Sequence, residues 1–128
     1  MIIGYAYVVG DILHFGHIQH LKNCKALCDK LIVGVLTDDA CMEKKPKPTI
    51  PFKERLELVS ELKCVDAAVT QQDYSPLYNV VKIKPDILFE STSHIHEFVS
   101  TKETKVIEMP YFPEQSSTKI KEKIRDKS

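Results

Sequence analysis

The chain has 128 residues, with 18 basic and 18 acidic side chains, a formal net charge of zero and a pI near 7.0. This length predicts a single domain over residues 1–128, and the balanced charge disfavours nucleic acid or an anionic membrane as a partner. The apolar runs are far shorter than the ~20 residues of a transmembrane helix, and no charged leader precedes them, so we expect a cytoplasmic protein.

Strand-like apolar runs and helix-like periodicity alternate along the chain. The predicted strands cover 2–9, 31–37, 65–69, 87–89 and 105–108. The predicted helices begin near residues 17, 52 and 76, with a weak helical segment at 95–101 and a last helix after residue 118. Residues 40–51 hold three prolines and three lysines with little apolar periodicity, which predicts a mobile loop. The alternation predicts an α/β fold, a Rossmann-like five-stranded parallel sheet with helices on both faces.

The sharpest local pattern is His14, Phe15, Gly16 and His17, where the first strand gives way to the first helix. Ligands of open α/β sheets bind at the carboxyl ends of strands, and the free N–H groups of a helix start attract anions. Two imidazoles that donate to phosphate oxygens, with a glycine that permits close approach, predict a phosphate site there. Each histidine alone is also compatible with a simple helix cap.

A zinc site is the alternative interpretation of these histidines, because His20 extends the series to His-x-x-His-x-x-His. On a helix, positions i and i+6 lie on diverging faces, and no carboxylate or thiolate stands at ligand spacing, so no metal ligand is assigned. The four cysteines contain no C-x-x-C pair and are predicted to be reduced thiols: Cys24, Cys28, Cys41 and Cys64.

A second hydroxyl-rich helix start is predicted at Ser116, Ser117 and Thr118, although Ser116 could serve only as an ordinary N-cap. Arg55 and the loop lysines add cations, each of which is also compatible with a solvated surface charge. The cations in question are Lys44, Lys45, Lys47 and Arg55. Several cations and two anion-binding helix starts in one small domain favour a polyphosphate ligand.

These motifs resemble the nucleotidyltransferase superfamily marked by His-x-Gly-His. Among cytidylyltransferase-like members, the chain is most similar to the short glycerol-3-phosphate cytidylyltransferases and to the domains linked to phosphonate synthesis. The similarity covers nearly the whole length. It implies attack by a phosphate or phosphonate oxygen of the acceptor on the α-phosphorus of a nucleoside triphosphate, with release of pyrophosphate and no covalent enzyme intermediate.

The resemblance also implies site residues. His14 and His17 match the motif histidines that contact the triphosphate and the transition state. Asp11 matches the acidic residue before them, Lys44 the lysine of the mobile loop, and Arg55 the arginine of the following helix; with the histidines, Lys44 and Arg55 form the implied catalytic set. The implied nucleotide-binding set is Val8, Val9, Gly10, Asp11, Gly16, Ser116, Ser117 and Thr118. Mg²⁺ is the expected cation, and the resemblance leaves a homodimer open.

The chain departs from the family pattern in three places, one of which is the Arg-Thr-Glu-Gly before the serine signature, here Tyr111, Phe112, Pro113 and Glu114. Gly-x-Phe-Asp reads Val8, Val9, Gly10 and Asp11, and the base-contacting Gly-Asp-Asp-Trp reads Ser91, Thr92, Ser93 and His94. The leading hypothesis is transfer of CMP from CTP to a small phosphorylated or phosphonate acceptor. An adenylyltransferase that uses ATP, of the lipopolysaccharide-core or coenzyme type, and a catalytically inactive nucleotide-binding module remain as alternatives.

Overall fold

A parallel β-sheet forms the centre of the molecule in a computed structural model that describes residues 1–91 and 103–109. The strands are β1 (Ile3–Val8), β2 (Lys30–Leu36), β3 (Ala67–Gln71), β4 (Ile87–Ser91) and β5 (Lys105–Met109). The helices are α1 (Phe15–Lys25), α2 (Asp38–Met42), α3 (Phe52–Ser60) and α4 (Leu77–Ile83). All pairings are parallel in the order β3-β2-β1-β4-β5. The predicted Rossmann-like sheet of five parallel strands is therefore confirmed.

The sheet is covered on both faces, which explains why β1 and β2 are continuous apolar runs. On one face, Ala6 and Val8 pack with Leu21 of α1 and Val59 of α3. On the other, Tyr5, Tyr7 and Leu88 pack with Ala40 of α2 and Val80 of α4. Helices on both faces are the second confirmed part of the fold prediction. In the described part of the chain, no helix is long and apolar enough to cross a membrane.

The strand order reverses at β1, since β2 and β3 lie on one side of it and β4 and β5 on the other. Such a reversal opens a crevice at the carboxyl ends of the two strands that meet there, and ligands of this fold class bind in it. Here the two strands are β1 and β4. The chain leaves β1 at this edge and enters the predicted phosphate site.

The predicted start of the loop after β2 and the predicted position of the third strand were wrong. The loop predicted to begin at residue 40 instead begins after α2, because Thr37 Oγ1 caps this short helix by accepting from the N–H of Ala40 at 3.1 Å, and Ala40 and Cys41 are buried. The third strand lies two residues later than predicted. Its position is set by pairing with β2, in the register Ile32 to Ala67 through Leu36 to Gln71.

The fourth strand is longer than predicted. Glu90 and Ser91, predicted to start a loop, continue β4 and pair with Glu108 and Met109 of β5. The weak helix at 95–101, the helix after residue 118 and the three hydroxyl residues at 116–118 lie outside the described residues.

Candidate active site

The β1–α1 junction is held by a reciprocal cap made from its two histidines. His14 is the N-cap residue, and its Nδ1 accepts from the backbone N–H of Gly16 at 2.9 Å. The Nδ1 of His17 accepts in turn from the backbone N–H of His14 at 3.3 Å. The ring centroids lie 4.1 Å apart. The two imidazoles thus accept from backbone N–H groups at the helix start. In most helices this is done by a Ser or Asp at the N-cap position and a Glu at the third helical position.

This cap determines the tautomer of both rings. An Nδ1 atom that accepts a hydrogen bond carries no proton, so each neutral ring is protonated on Nε2. Burial, helped by charge on His14, His20 and Lys45, lowers the pKa of His17 to about 4. Burial also lowers the pKa of His14. At neutral pH both histidines are therefore uncharged and present an Nε2–H donor.

The outward donor of His14 has no protein partner within the described residues, although its Nε2 atom is buried. A buried polar group without a hydrogen bond costs about 1–3 kcal/mol. Beside it, Gly16 is buried and has no side chain to obstruct the helix start. The junction therefore offers a buried donor that an anionic ligand would satisfy.

The turn before His14 has an unusual backbone. Gly10 has φ +76°, and a Cβ there would lie 3.3 Å from Val59 Cγ2. Ile12 has φ +52°, a left-handed conformation that is rare for a β-branched residue. A residue held in this way costs about 1–3 kcal/mol and persists only when its surroundings hold it. The turn has a glycine at position 10 because the chain is left-handed at that point.

Asp11 lies inside the same turn and anchors the segment between α2 and α3, residues 43–51, which we call the lysine loop. The residue is buried, and its two carboxylate oxygens accept from the backbone N–H groups of Thr49 at 2.9 Å and Ile50 at 2.8 Å. The end of the loop is therefore attached directly to the turn that carries the histidines. The structure gives Asp11 a clear role in positioning the loop.

Arg55, which the resemblance places in the catalytic set, is 0% exposed. Its guanidinium donates to three carbonyl oxygens, those of Val9, Leu36 at 2.7 Å and Ile50 at 2.9 Å. It also pairs with the carboxylate of Asp38 at 2.7 Å. One side chain thus connects the carboxyl ends of β1 and β2, the start of α2 and the end of the lysine loop.

The loop lysines face different surroundings. The ammonium group of Lys44 lies 5.2 Å from the ring centroid of Tyr74. Lys45 is close enough to His17 for its charge to help lower the pKa of that ring. The resemblance implies Lys44 as the catalytic lysine of this loop, and the structure in addition brings the charge of Lys45 to His17.

A buried acid at the crevice was missed by the sequence interpretation. Glu90 of β4 is buried, and its Oε2 accepts from the hydroxyl of Tyr7 of β1 at 2.6 Å. Burial raises the pKa of Tyr7, and the hydrogen bond to Glu90 adds to the effect, so the phenol remains protonated and donates. The sequence feature that could have indicated this buried acid is the position of Glu90 directly after the apolar run 87–89.

Described residues offer no metal cage. No group of three His, Cys, Asp or Glu side chains in 1–91 and 103–109 is arranged to hold a metal ion. His20 Nε2 and Cys24 Sγ lie 3.9 Å apart on α1, but these are two side chains and not a group of three. Both oxygens of Asp11 and one of Asp38 are engaged by protein donors. A Mg²⁺ ion would fit here as part of a metal–triphosphate substrate, held by phosphate oxygens.

The fold and this junction define a Rossmann-like α/β protein whose first strand leads into a helix start capped by two histidines. The Cytidylyltransferase-like family model matches residues 10–123, which contain the whole junction. The chain therefore belongs to the cytidylyltransferase-like family of the His-x-Gly-His nucleotidyltransferase superfamily.

Related proteins agree with this assignment. The chain is 37% identical to the bifunctional protein HldE of Helicobacter pylori over 122 residues, which cover 90% of this chain and 26% of HldE. It is 41% identical to the FAD synthase of Thermoplasma volcanium over 80 residues, which cover 62% and 56% of the two chains. The chain thus spans about a quarter and about half of these relatives.

A solved structure matches over almost its full length. The lipopolysaccharide core biosynthesis protein of Thermoplasma volcanium superposes with a TM-score of 0.77 at 31% sequence identity. The match covers 88% of this chain and 98% of that protein. The similarity between the two proteins therefore extends over most of this chain and nearly all of the solved structure.

Proposed function

We propose that the chain transfers a nucleotidyl group from a nucleoside triphosphate, with ATP as the preferred donor, to a small phosphorylated acceptor. An acceptor phosphate oxygen attacks the α-phosphorus and forms a new P–O–P bridge. The bond between the α-phosphorus and the bridging oxygen breaks, and the oxygen leaves with the electron pair as part of pyrophosphate. Because the attacking oxygen is already anionic, catalysis consists of positioning and charge stabilisation.

The observation that carries this proposal is the buried Nε2–H of His14, which has no acceptor among the described residues. The Nε2–H of His17 is oriented by the same cap. Two neutral donors at a helix start suit a phosphate group that becomes more negative during the reaction, since each ring keeps its Nδ1 in the cap and has its Nε2–H left to donate. Their uncharged state also leaves charge neutralisation to the loop lysines and to Mg²⁺.

ATP is preferred over CTP on the evidence of a relative. FAD synthase is named for flavin adenine dinucleotide, which contains an AMP unit, and the chain is 41% identical to it over 80 residues. The relatives lend no support to the CMP transfer or the phosphonate acceptor expected from the sequence. The adenylyl alternative of the sequence analysis is therefore the better-supported one.

The remaining site residues receive roles within the same proposal. Lys44 and Lys45 would bind the triphosphate from the loop. Arg55 and Asp11 act as positioning residues, because their polar groups are engaged with backbone and with Asp38. The hydroxyl-rich segment 116–118 is proposed as a second phosphate-binding helix start.

Pyrophosphate release tests this function. The protein is incubated with Mg²⁺ and ATP, CTP, GTP or UTP, each with FMN, glycerol 3-phosphate and sugar phosphates as acceptors. We expect release with ATP and at least one acceptor, and thermal stabilisation by ATP greater than by CTP. Turnover with CTP alone would refute the ATP preference. Stabilisation by ATP without turnover of any acceptor would favour the inactive nucleotide-binding module instead.

A further inference from the structure

A buried polar network crosses three strands on the face of the sheet that packs against α2 and α4. The hydroxyl of Tyr5 on β1 donates to Oε1 of Gln71 on β3 at 2.5 Å, and it accepts from Nδ2 of Asn79 on α4 at 2.8 Å. Tyr5 and Gln71 are at most 1% exposed, and burial raises the pKa of Tyr5, so its hydroxyl remains protonated. Because Oε1 of Gln71 accepts from the phenol, the Nε2 of the same amide is left to donate elsewhere.

Gly34 of β2 makes room for this network. Since β2 lies between β1 and β3, the Tyr5 side chain must cross it to reach Gln71. A Cβ at position 34 would overlap the Tyr5 hydroxyl and lie 2.7 Å from Gln71 Oε1. Any larger residue at this position would therefore push the two polar groups apart. A buried network whose groups are all bonded favours one fixed arrangement of the segments that it joins.

The network ends on the segment 72–76, which follows β3. Nε2 of Gln71 donates to the carbonyl oxygens of Asp73 at 3.1 Å and Tyr74 at 3.2 Å. The backbone carbonyl of Gln71 accepts from the N–H of Thr37, the N-cap residue of α2, at 3.1 Å. One residue therefore holds both the segment after β3 and the start of the helix that leads into the lysine loop.

Tyr74 connects this segment to the lysine loop. Its backbone N–H donates to Oε2 of Glu43, the first residue of the loop, at 3.0 Å. The ammonium group of Lys44 lies 5.2 Å from the centroid of the Tyr74 ring, where the electrons of the ring attract a cation. The contacts thus run without a gap from the buried Tyr5–Gln71 pair to the ammonium group of Lys44.

Building on the proposed function, we propose that Gln71 is a positioning residue for triphosphate binding, acting through Tyr74 on Lys44. A fixed segment 72–76 keeps the tyrosine ring and the Glu43 anchor in place, so the lysine approaches the phosphates from one defined position. Gln71 is 1% exposed and does not itself reach the substrate.

Gln71→Met and Tyr5→Phe separate this positioning role from a structural one. Each single variant leaves a buried polar partner unsatisfied and should lower the urea midpoint. The double variant replaces both partners by apolar groups of similar shape, and Asn79 keeps its bond to the carbonyl of Thr70, so the midpoint should return toward the wild-type value. The segment after β3 still lacks its amide donor. The KM for ATP should therefore stay about 3- to 5-fold above the wild-type value in both variants that carry Gln71→Met, the size of one lost cation–π contact, with kcat within twofold.

Hydrogen–deuterium exchange of the full chain reports on the loop without ATP. Both variants that carry Gln71→Met should exchange faster than the wild type in the peptides that cover 43–47 and 72–76. Exchange at the β1–α1 junction, residues 12–17, should stay at the wild-type rate, because the histidine cap does not involve the network.

Thr104→Val is the matched control. The Thr104 hydroxyl is also buried and donates to the carbonyl oxygen of Pro85 at 2.7 Å, but it lies at the amino ends of β4 and β5, opposite the lysine loop. This variant should lower the midpoint without changing the KM for ATP or the exchange of 43–47.

The inference is overturned if Gln71→Met leaves either the loop exchange or the KM for ATP at the wild-type value. It is also overturned if the KM recovers together with the midpoint in the double variant, because the network would then act only on stability. A lower KM in the Gln71→Met protein would contradict it as well, since Tyr74 would then withhold Lys44 from the phosphates. Failure of the wild type to bind ATP would instead refute the proposed function, and the exchange rates would still decide whether Gln71 holds the lysine loop.

Discussion

Replacing Arg55 by lysine distinguishes a positioning residue from a catalytic one. A lysine keeps the charge, but its single nitrogen cannot reproduce a guanidinium that donates to the carbonyl oxygens of Val9, Leu36 and Ile50 and to Asp38. At least two buried acceptors would lose a charged donor, each at about 1.5–3 kcal/mol. We therefore expect Arg55→Lys to lower the free energy of unfolding by about 3–5 kcal/mol.

Urea unfolding followed by far-UV circular dichroism measures this loss as a shift of the transition midpoint. Asp38→Asn is the matched control. It removes the ion pair but keeps an oxygen acceptor, and the Asp38 side chain is 34% exposed, so we expect a cost near 1 kcal/mol or less. Turnover of both variants is then measured at a temperature where each remains folded.

The reasoning is refuted if Arg55→Lys unfolds at the wild-type midpoint yet loses turnover, because the guanidinium would then act directly on the substrate. A positioning role predicts the opposite pattern. Stability falls, and the KM for triphosphate rises because the loop carrying Lys44 and Lys45 is no longer tied through Ile50 to the ends of β1 and β2.

The other predictions concern the histidines and the loop. His14→Asn should retain the helix cap and stay within about 0.5 kcal/mol of wild-type stability, whereas His14→Ala should lose about 1 kcal/mol. Both variants should lose turnover. An active His14→Asn protein would contradict the donor role. His17→Ala should lower turnover by roughly 10²- to 10³-fold, as steady-state pyrophosphate release will show. Because the pKa of His17 is lowered, the unfolded chain gains a proton below about pH 6.5, whereas the folded chain gains it only near pH 4. The free energy of unfolding should therefore decrease, by up to about 3 kcal/mol, as the pH is lowered from about 6.5 to about 4. A His17→Gln protein should show a flatter pH profile, and an identical profile would refute this origin. Residues 44–47 should resist limited proteolysis better with ATP than without, because all four of these residues are exposed. Equal cleavage would contradict loop ordering by the nucleotide.

Local sequence patterns determined most of the fold. The apolar runs of β1 and β2 are readable because strands covered on both faces need a continuous run, and α4 is readable because Pro76 precedes its apolar periodicity. The His-x-Gly-His junction is likewise a local feature, since a strand, a glycine and a helix start follow one another in the chain. For the same reason this strand-to-helix junction and the family resemblance could be predicted without coordinates.

Only the tertiary structure determined the boundaries of β3 and α2 and the hydrogen-bond partners of Arg55 and Asp11. The position of β3 follows from its register with β2. The short helix α2 forms because two of its own residues, Ala40 and Cys41, are buried against the rest of the protein. Neither boundary follows from local propensity. The sequence shows Arg55 and Asp11 as charges near a loop, but only the packed structure shows that both are buried and bonded to it. Burial and hydrogen-bond partners depend on residues distant in the chain. The sequence therefore supplies the chemical groups of this site, and the fold determines which of them remain available to a ligand.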